Sequence, residues 1–214
     1  MTAITASISI ALDGFAAGPN QSLEHPLGEG GMRLHQWVFP TRAFNEMHGR
    51  EGGEDGPDSD VLARAAADVG AYVMGRKIFG GGSGPWDTSW IGWWGEEPPF
   101  HAPVFVLTHH EREPLQLAGG TTFTFVTAGL DAALEQAQAA AGGREVKIAG
   151  GASTIRQTLA AGRLDELQLH VVPVLLGAGE RLLDGAGDPL LEPVEVVASP
   201  GVTHIRYRVG AAAG

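Results

Sequence analysis

From Ile4 to Ile10 apolar and small polar residues alternate one by one, the period of a strand with one apolar and one polar face, and "LDGFAAGPN" then breaks the pattern with Gly, Asp and Pro. Residues 20–57 hold no sustained period: "HPLGEGG" and "GREGGEDGPDSD" read as an exposed excursion and candidate lid, with a short helix around "RLHQWVF". "DSDVLARAAADVG" predicts a helix with Asp58 or Ser59 as its N-cap and Gly70 at its close. "AYVMGRK" reads as a buried strand ending on glycine, and a Trp- and Pro-rich loop, "GPWDTSWIGWWGEEPPFHAP", separates it from the strand "VFVLT". The strand "TTFTFV", the helix "LDAALEQAQAAAGG", the strand "EVKIA" and the helix "ASTIRQTLAAG" follow, then the long apolar run "LDELQLHVVPVLLGAGERLL". Finally "VEVVAS" and "VTHIRYRV" alternate as two antiparallel strands do.

Helices alternating with apolar strands predict an α/β fold, a largely parallel sheet covered on both faces with an antiparallel C-terminal edge. Without an internal repeat or a second core pattern, residues 1–214 are expected to form one domain with loop insertions at about 18–57 and 80–102. In open sheets of this kind ligands bind beyond the carboxyl ends of the strands. Three such ends carry groups suited to an anion. Gly75, Arg76 and Lys77 offer a close turn and two cations; Thr108, His109 and His110 offer a hydroxyl and ring N–H groups. Gly150 and Gly151 stand before Ala152, Ser153 and Thr154, where a helix start leaves backbone N–H groups free and its dipole favours negative charge.

The formal net charge of -11 argues against nucleic-acid or anionic-membrane surfaces, which require a basic footprint, so the expected partner is a small molecule. The chain has no cysteine, which removes disulfides, thiolate metal sites and cysteine nucleophiles, and no spacing of other ligands points to a metal. No apolar run approaches the roughly 18 residues of a membrane span, and the N-terminus lacks a basic leader; a cytoplasmic protein is expected. There is no G-x-x-x-x-G-K-[ST], "LGAGERLL" holds only half of G-x-G-x-x-G, and Ser153 lacks the G-x-S-x-G context, which disfavours kinases, standard Rossmann dehydrogenases and serine hydrolases.

With "SISIALDGFAA", "YVMGRKIF" and above all "KIAGGASTIRQTLAAGRLDELQLHVVPVLLGAGERLL" in that order, the chain resembles the dihydrofolate-reductase-like superfamily. The likeness is greatest to the reductase domain of bifunctional riboflavin-biosynthesis proteins, the RibD C-terminal domain. The resemblance implies a three-layer α/β/α fold, NADPH as cofactor and a homodimer. It implies that Gly75, Arg76 and Lys77 sit by the adenosine phosphates, with Arg76 on the 2′-phosphate. Leu107, Thr108 and His109 would lie by the adenosine portion, and Gly150, Gly151, Ala152, Ser153 and Thr154 would hold the pyrophosphate. Asp13 and Gly14 match an element near the nicotinamide and substrate, with Ala6, Phe15 and Ala17 beside it; Asp13 and Asp60 are the candidate proton donors, although Asp58 and Asp60 both suit capping. The arginine with which folate reductases grip the folate carboxylate is missing from "PPFHAPVF", and Ile78 replaces their threonine after "GRK". A ribosyl phosphate would call on Arg33, His35, Arg42 or His48, and Trp86, Trp90, Trp93 and Trp94 suit burial, stacking on a heterocycle or a dimer surface. Without cysteine no zinc deaminase domain is expected beside it. The implied activity is hydride transfer from NADPH to a C=N or C=O carbon of a small heterocyclic or sugar-derived substrate, such as 5-amino-6-(5-phosphoribosylamino)uracil. The alternatives are a related reductase of specialised metabolism and a non-catalytic NADP-binding protein.

Overall fold

The computed structural model describes residues 2–210. The N-terminal alternation is strand β1 (Ile4–Ala11), followed by β2 (Phe15–Ala17), a 3-10 turn (Gly31–His35), α1 (Arg42–Met47), α2 (Pro57–Ala66), β3 (Val69–Gly75) and the single-turn α3 (Arg76–Phe79). Then come β4 (Pro103–Leu107), β5 (Leu115–Gln116), β6 (Thr122–Val126), α4 (Leu130–Ala140), β7 (Glu145–Gly150), α5 (Ala152–Ala160), β8 (Glu166–Val172), β9 (Glu180–Arg181), β10 (Leu190–Ala198) and β11 (Thr203–Gly210). Nine strands make one sheet of order β10-β11-β8-β1-β7-β3-β4-β6-β5. From β8 to β6 every neighbouring pair is parallel, whereas β11 and β10 continue antiparallel on one edge and β5 closes the other. A separate ribbon pairs β2 with β9.

The two faces of β1 set the layers. Ile4, Ala6 and Ile10 join Val73, Val146, Ile148 and Leu167 in the main core, against Leu134 of α4 and Ile155 and Leu159 of α5. Burying a Leu or Ile fully contributes about 1.5–3 kcal/mol each. Thr5, Ser7 and Ser9 face the other way, toward the 3-10 turn, α1 and α2, so that layer meets the sheet across polar groups: Trp37 donates its indole N–H to Ser9 Oγ, Thr5 bonds Glu145, and Lys147 reaches the Ala65 carbonyl. Further along, another apolar cluster gathers Met74, Phe79, Val104, Val106 and Phe123 under Trp86, Trp90, Trp94 and Phe100.

Four expectations need correction. The stretch from 18 to 57 holds more than the short helix expected around "RLHQWVF", because Thr41 caps α1 by accepting the Phe44 N–H. Helix α2 begins at Pro57 after Gly56, so neither Asp58 nor Ser59 is its cap; Ser59 Oγ instead accepts the Ala43 N–H and ties α2 to α1. The long run after Leu164 is a strand only through Val172, and its glycine-rich remainder returns to β2 through β9. Gly70 does not close α2. It lies inside β3, where a Cβ would collide with the Ala141 carbonyl beyond α4. Gly70→Ala must push strand and helix end apart and is expected to destabilise by about 1–3 kcal/mol, read as a lower urea midpoint at unchanged m-value.

Candidate active site

A cavity of about 1110 Å³ crosses the carboxyl ends of the parallel strands. Its centre is where β7 hands over to α5. Gly150, at φ 117°, holds a conformation that L side chains rarely adopt, and the Gly150–Gly151 peptide is cis. Gly151 N-caps α5 without a side-chain cap, leaving the first-turn N–H groups of Ala152 and Ser153 toward the cavity. A Cβ on Gly151 would stand 3.3 Å from Ile78 Cδ1 of α3, and one on Gly75 would stand 2.8 Å from Thr154 Oγ1, so glycine at these positions lets α5 lie close to α3 and the end of β3. Ser153 lines this wall and its Oγ accepts a hydrogen bond from Gln157.

Next along the sheet, Arg76 and Lys77 open α3 beside Gly75, Lys77 exposed and Arg76 half-buried. The Arg76 guanidinium lies 3.6 Å from the centre of the Trp86 ring and donates Nε–H to the Gly82 carbonyl, while both terminal nitrogens are buried without a partner. Burial lowers its pKa from the ordinary value, yet an arginine stays charged, so two donors of a desolvated cation stand unused. Leu107 and Thr108 follow at the end of β4. Thr108 Oγ1 accepts the His110 N–H, which sets the turn that carries the exposed His109 to the cavity rim. Thr127, Gly129 and Leu130 bring the start of α4 to the same wall. All the cofactor-binding residues expected from sequence therefore border one cavity.

At the opposite end, on β1 and β8, His35 and Ala17 were expected, whereas Ser7, Trp37 and His170 were not. Ser7, His35, Trp37, Phe44 and His170 line it. Ser7 Oγ lies 2.8 Å from His170 Nε2, His170 Nδ1 lies 2.7 Å from His204 Nδ1, and His204 Nε2 lies 2.9 Å from Asp58 Oδ1. Trp37 packs against both imidazoles, with ring centroids at 4.7 and 4.8 Å. Burial foremost, then His204, Lys147 and His35, pushes His170 from 6.5 down to about 3; burial likewise lowers His35, whose Nδ1 has no partner. The sequence held a signal for Ser7 alone, which falls on the polar phase of β1; the antiparallel register that sets His204 opposite His170 is visible only in the fold.

Both candidate proton donors lie off the cavity wall. Asp60 is exposed on α2. Asp13 accepts the N–H groups of Leu176 and Gly177 at 3.1 and 2.8 Å, and the Gly177 bond foremost holds its carboxyl below the usual 3.8; it fastens the 173–179 loop as an ionised acceptor. Ala17 reaches the cavity wall, whereas Ala6 belongs to the core and Phe15 lies under the Arg181 guanidinium. Of the expected phosphate counter-groups only His35 reaches the wall: Arg33 binds the Leu175 carbonyl, Arg42 pairs with Asp55, and His48 bonds Phe44. Arg156 of α5 does line it. Among the described residues no group of His, Asp and Glu is set to hold a metal, and no helix is long and apolar enough to cross a membrane.

The model of one family, the RibD C-terminal domain, matches residues 2–205. The chain belongs to the RibD C-terminal domain family. The fold agrees with that membership. A protein from Shewanella sp. PV-4 assigned to riboflavin biosynthesis superposes with a TM-score of 0.63 at 22% identity, over 97% of this chain and 99% of that one. A pyrimidine reductase-like protein from Corynebacterium diphtheriae gives 0.54 at 16%, over 97% and 92%. Dihydrofolate reductase from Enterococcus faecalis, in complex with NADP(H), gives 0.51 at 13%, over 97% and 96%. This RibD-type domain thus has the dihydrofolate-reductase-like fold. No curated protein matches the chain.

His170 supplies a check on the geometry that needs no ligand. A base buried as its neutral form stabilises the fold fully above its unfolded value near 6.5, and that contribution is lost as pH falls toward 3, because only the unfolded chain takes up the proton. Urea denaturation is expected to show His170 adding about 1.4 kcal/mol of lost stability per pH unit below 6, and His170→Asn is expected to flatten the slope by that amount.

Proposed function

We propose that this chain is an NADPH-dependent reductase acting on a C=N or C=O carbon of a small heterocyclic or sugar-derived compound, in the manner of the riboflavin-pathway reductases. The observation that carries this reading is one continuous cavity with two unlike ends. Across β7, β3 and β4 it offers an open helix start, glycines and cations; across β1 and β8 it offers rings and neutral hydrogen-bonding groups. Its volume exceeds that of a site for one drug-sized ligand, which suits a dinucleotide and a substrate together. Family membership and the fold shared with a reductase that binds NADP(H) support the same assignment.

The residues present fit the cofactor. The N–H groups after Gly151 suit a diphosphate, and the unpaired Arg76 nitrogens suit a further phosphate dianion, the feature that separates NADPH from NADH. Because those nitrogens are covered, the Gly82–Trp86 segment must move aside for them to bond. When bound, the nicotinamide supplies a hydride. The chain's own part is placement and exclusion of water: α5 orients the diphosphate, and Trp37, Phe44 and Met47 wall the substrate end. We assign Arg156 as the counter-charge for a phosphate on the substrate, since Arg33, Arg42 and His48 stand off the wall.

Calorimetric titration should show NADPH binding that Arg76→Ala weakens by about 10- to 100-fold, from the loss of charged hydrogen bonds, with NADH affinity nearly unchanged. Equal losses for both nucleotides would remove the 2′-phosphate assignment. A panel of pyrimidine, pteridine and sugar-phosphate compounds, followed by loss of reduced-cofactor absorbance, should yield a substrate. Binding with no turnover across the panel would leave a nucleotide-binding protein.

A further inference from the structure

On the reductase reading above, the substrate carbon that receives hydride leaves a neighbouring nitrogen or oxygen in need of a proton, and the two carboxylates first considered do not reach the cavity. We propose that Asp58, His204, His170 and Ser7 form a proton relay from solvent to the cavity, with the Ser7 hydroxyl as its terminal donor. Each link is within hydrogen-bonding distance, at 2.9, 2.7 and 2.8 Å. The ends differ as a relay requires: the Asp58 side chain is 26% exposed and that of His204 only 1%, while Ser7 and His170 line the cavity. Trp37 packs against both rings and is itself tied to Ser9, which holds the three links in line.

Donor and acceptor roles follow from one end. The Asp58 carboxylate accepts only, so His204 donates its Nε2–H to it. With His204 neutral, its Nδ1 accepts the His170 Nδ1–H, and His170 Nε2 accepts the Ser7 hydroxyl proton. Adding one proton reverses the direction: His204 holds protons on both nitrogens, His170 accepts at Nδ1 and donates Nε2–H to Ser7 Oγ, and the Ser7 proton points at the ligand. Discharge moves the Ser7 proton to the substrate atom while Ser7 Oγ takes the His170 Nε2 proton and His170 Nδ1 takes the His204 Nδ1 proton. The relay loses one positive charge, from the His204 imidazolium, and the substrate gains it. A proton from water entering at Asp58, followed by reorientation of the rings and hydroxyl, restores the loaded state.

His170 passes the proton without storing it. His204 from β11, Lys147 from β7 and His35 from the 3-10 turn all disfavour a charge on it, and burial does so most. Asp58 of α2 bonds His204 and not His170. The charge of the loaded relay therefore rests beside Asp58.

Two measurements test the relay. Long-range ¹H–¹⁵N spectra of the ligand-free protein should show His170 as the Nδ1–H tautomer and His204 protonated at Nε2 at alkaline pH, and Asp58→Ala should scramble the His170 tautomer although it never touches that ring. A His170 tautomer indifferent to residue 58 overturns the coupling. With a substrate from the panel, Ser7→Ala and His170→Asn should each lower kcat by about a hundredfold with KM within about twofold. Asp58→Asn should lower kcat as well, because the loaded charge loses its partner. Variants that leave kcat and its pH profile unchanged overturn the relay while the reduction stands. Failure to find any substrate counts against the reductase reading, and the tautomers then decide the relay alone.

Discussion

The site depends on a place where side chains are excluded. Gly75 at the end of β3 lies under Thr154, and Gly151 at the head of α5 lies under Ile78, each too close for an added Cβ to sit without displacing its neighbour. That approach sets the first turn of α5 with its N–H groups toward the ends of β7, β3 and β4, and it places the basic start of α3 on the same rim. The same constraint explains why two chemically different stretches, "MGRK" and "AGGAST", belong to one surface: β3 and β7 are sheet neighbours, although seventy-odd residues of chain separate the motifs.

Around that point the sheet divides its labour by face. One face is apolar, and α4 and α5 close it. The other carries Thr5, Ser7, Lys147, Gln168, His170 and Arg206, groups whose burial costs several kcal/mol unless they find partners. The partners are mutual. Glu145 meets Lys147 and Thr5, Arg206 meets Glu166 and Glu195, and the imidazoles meet each other and Asp58. Helix α2 is tied to the sheet by Asp58 to His204, Arg64 to Glu195 and the Lys147 bond to the Ala65 carbonyl, and it buries Val61; the outer charged pairs, partly exposed, add little stability each. The aromatic segment from Trp86 to Phe100 solves the remaining problem, covering Met74, Val106 and Phe123 where no helix does.

Much of this was legible in the residues. The parallel core, the antiparallel C-terminal edge and the three anion-suited strand ends follow from local periods and from glycines that mark turns. Less visible was whatever depends on register. His170 and His204 look like ordinary members of apolar strands until β11 pairs with β8 and sets them opposite each other. Asp13 reads as a candidate acid because its position by a glycine turn is local information, while the amides of Leu176 and Gly177 that hold it ionised lie far along the chain. Asp60 and Asp58 are equivalent on paper; two residues' rotation about α2 sends the first to water and the second to His204. The Trp-rich loop lacks any period, and its fold follows from rings packing on Phe79 and Phe123 instead.

A crystal structure of the protein grown with NADP⁺ addresses the central claim most directly. Diphosphate oxygens within hydrogen-bonding distance of the backbone N–H groups that follow Gly151, with the 2′-phosphate turned toward Arg76, are the expected result. A nucleotide lying away from the head of α5, or that cradle closed by the protein's own side chains, would contradict it.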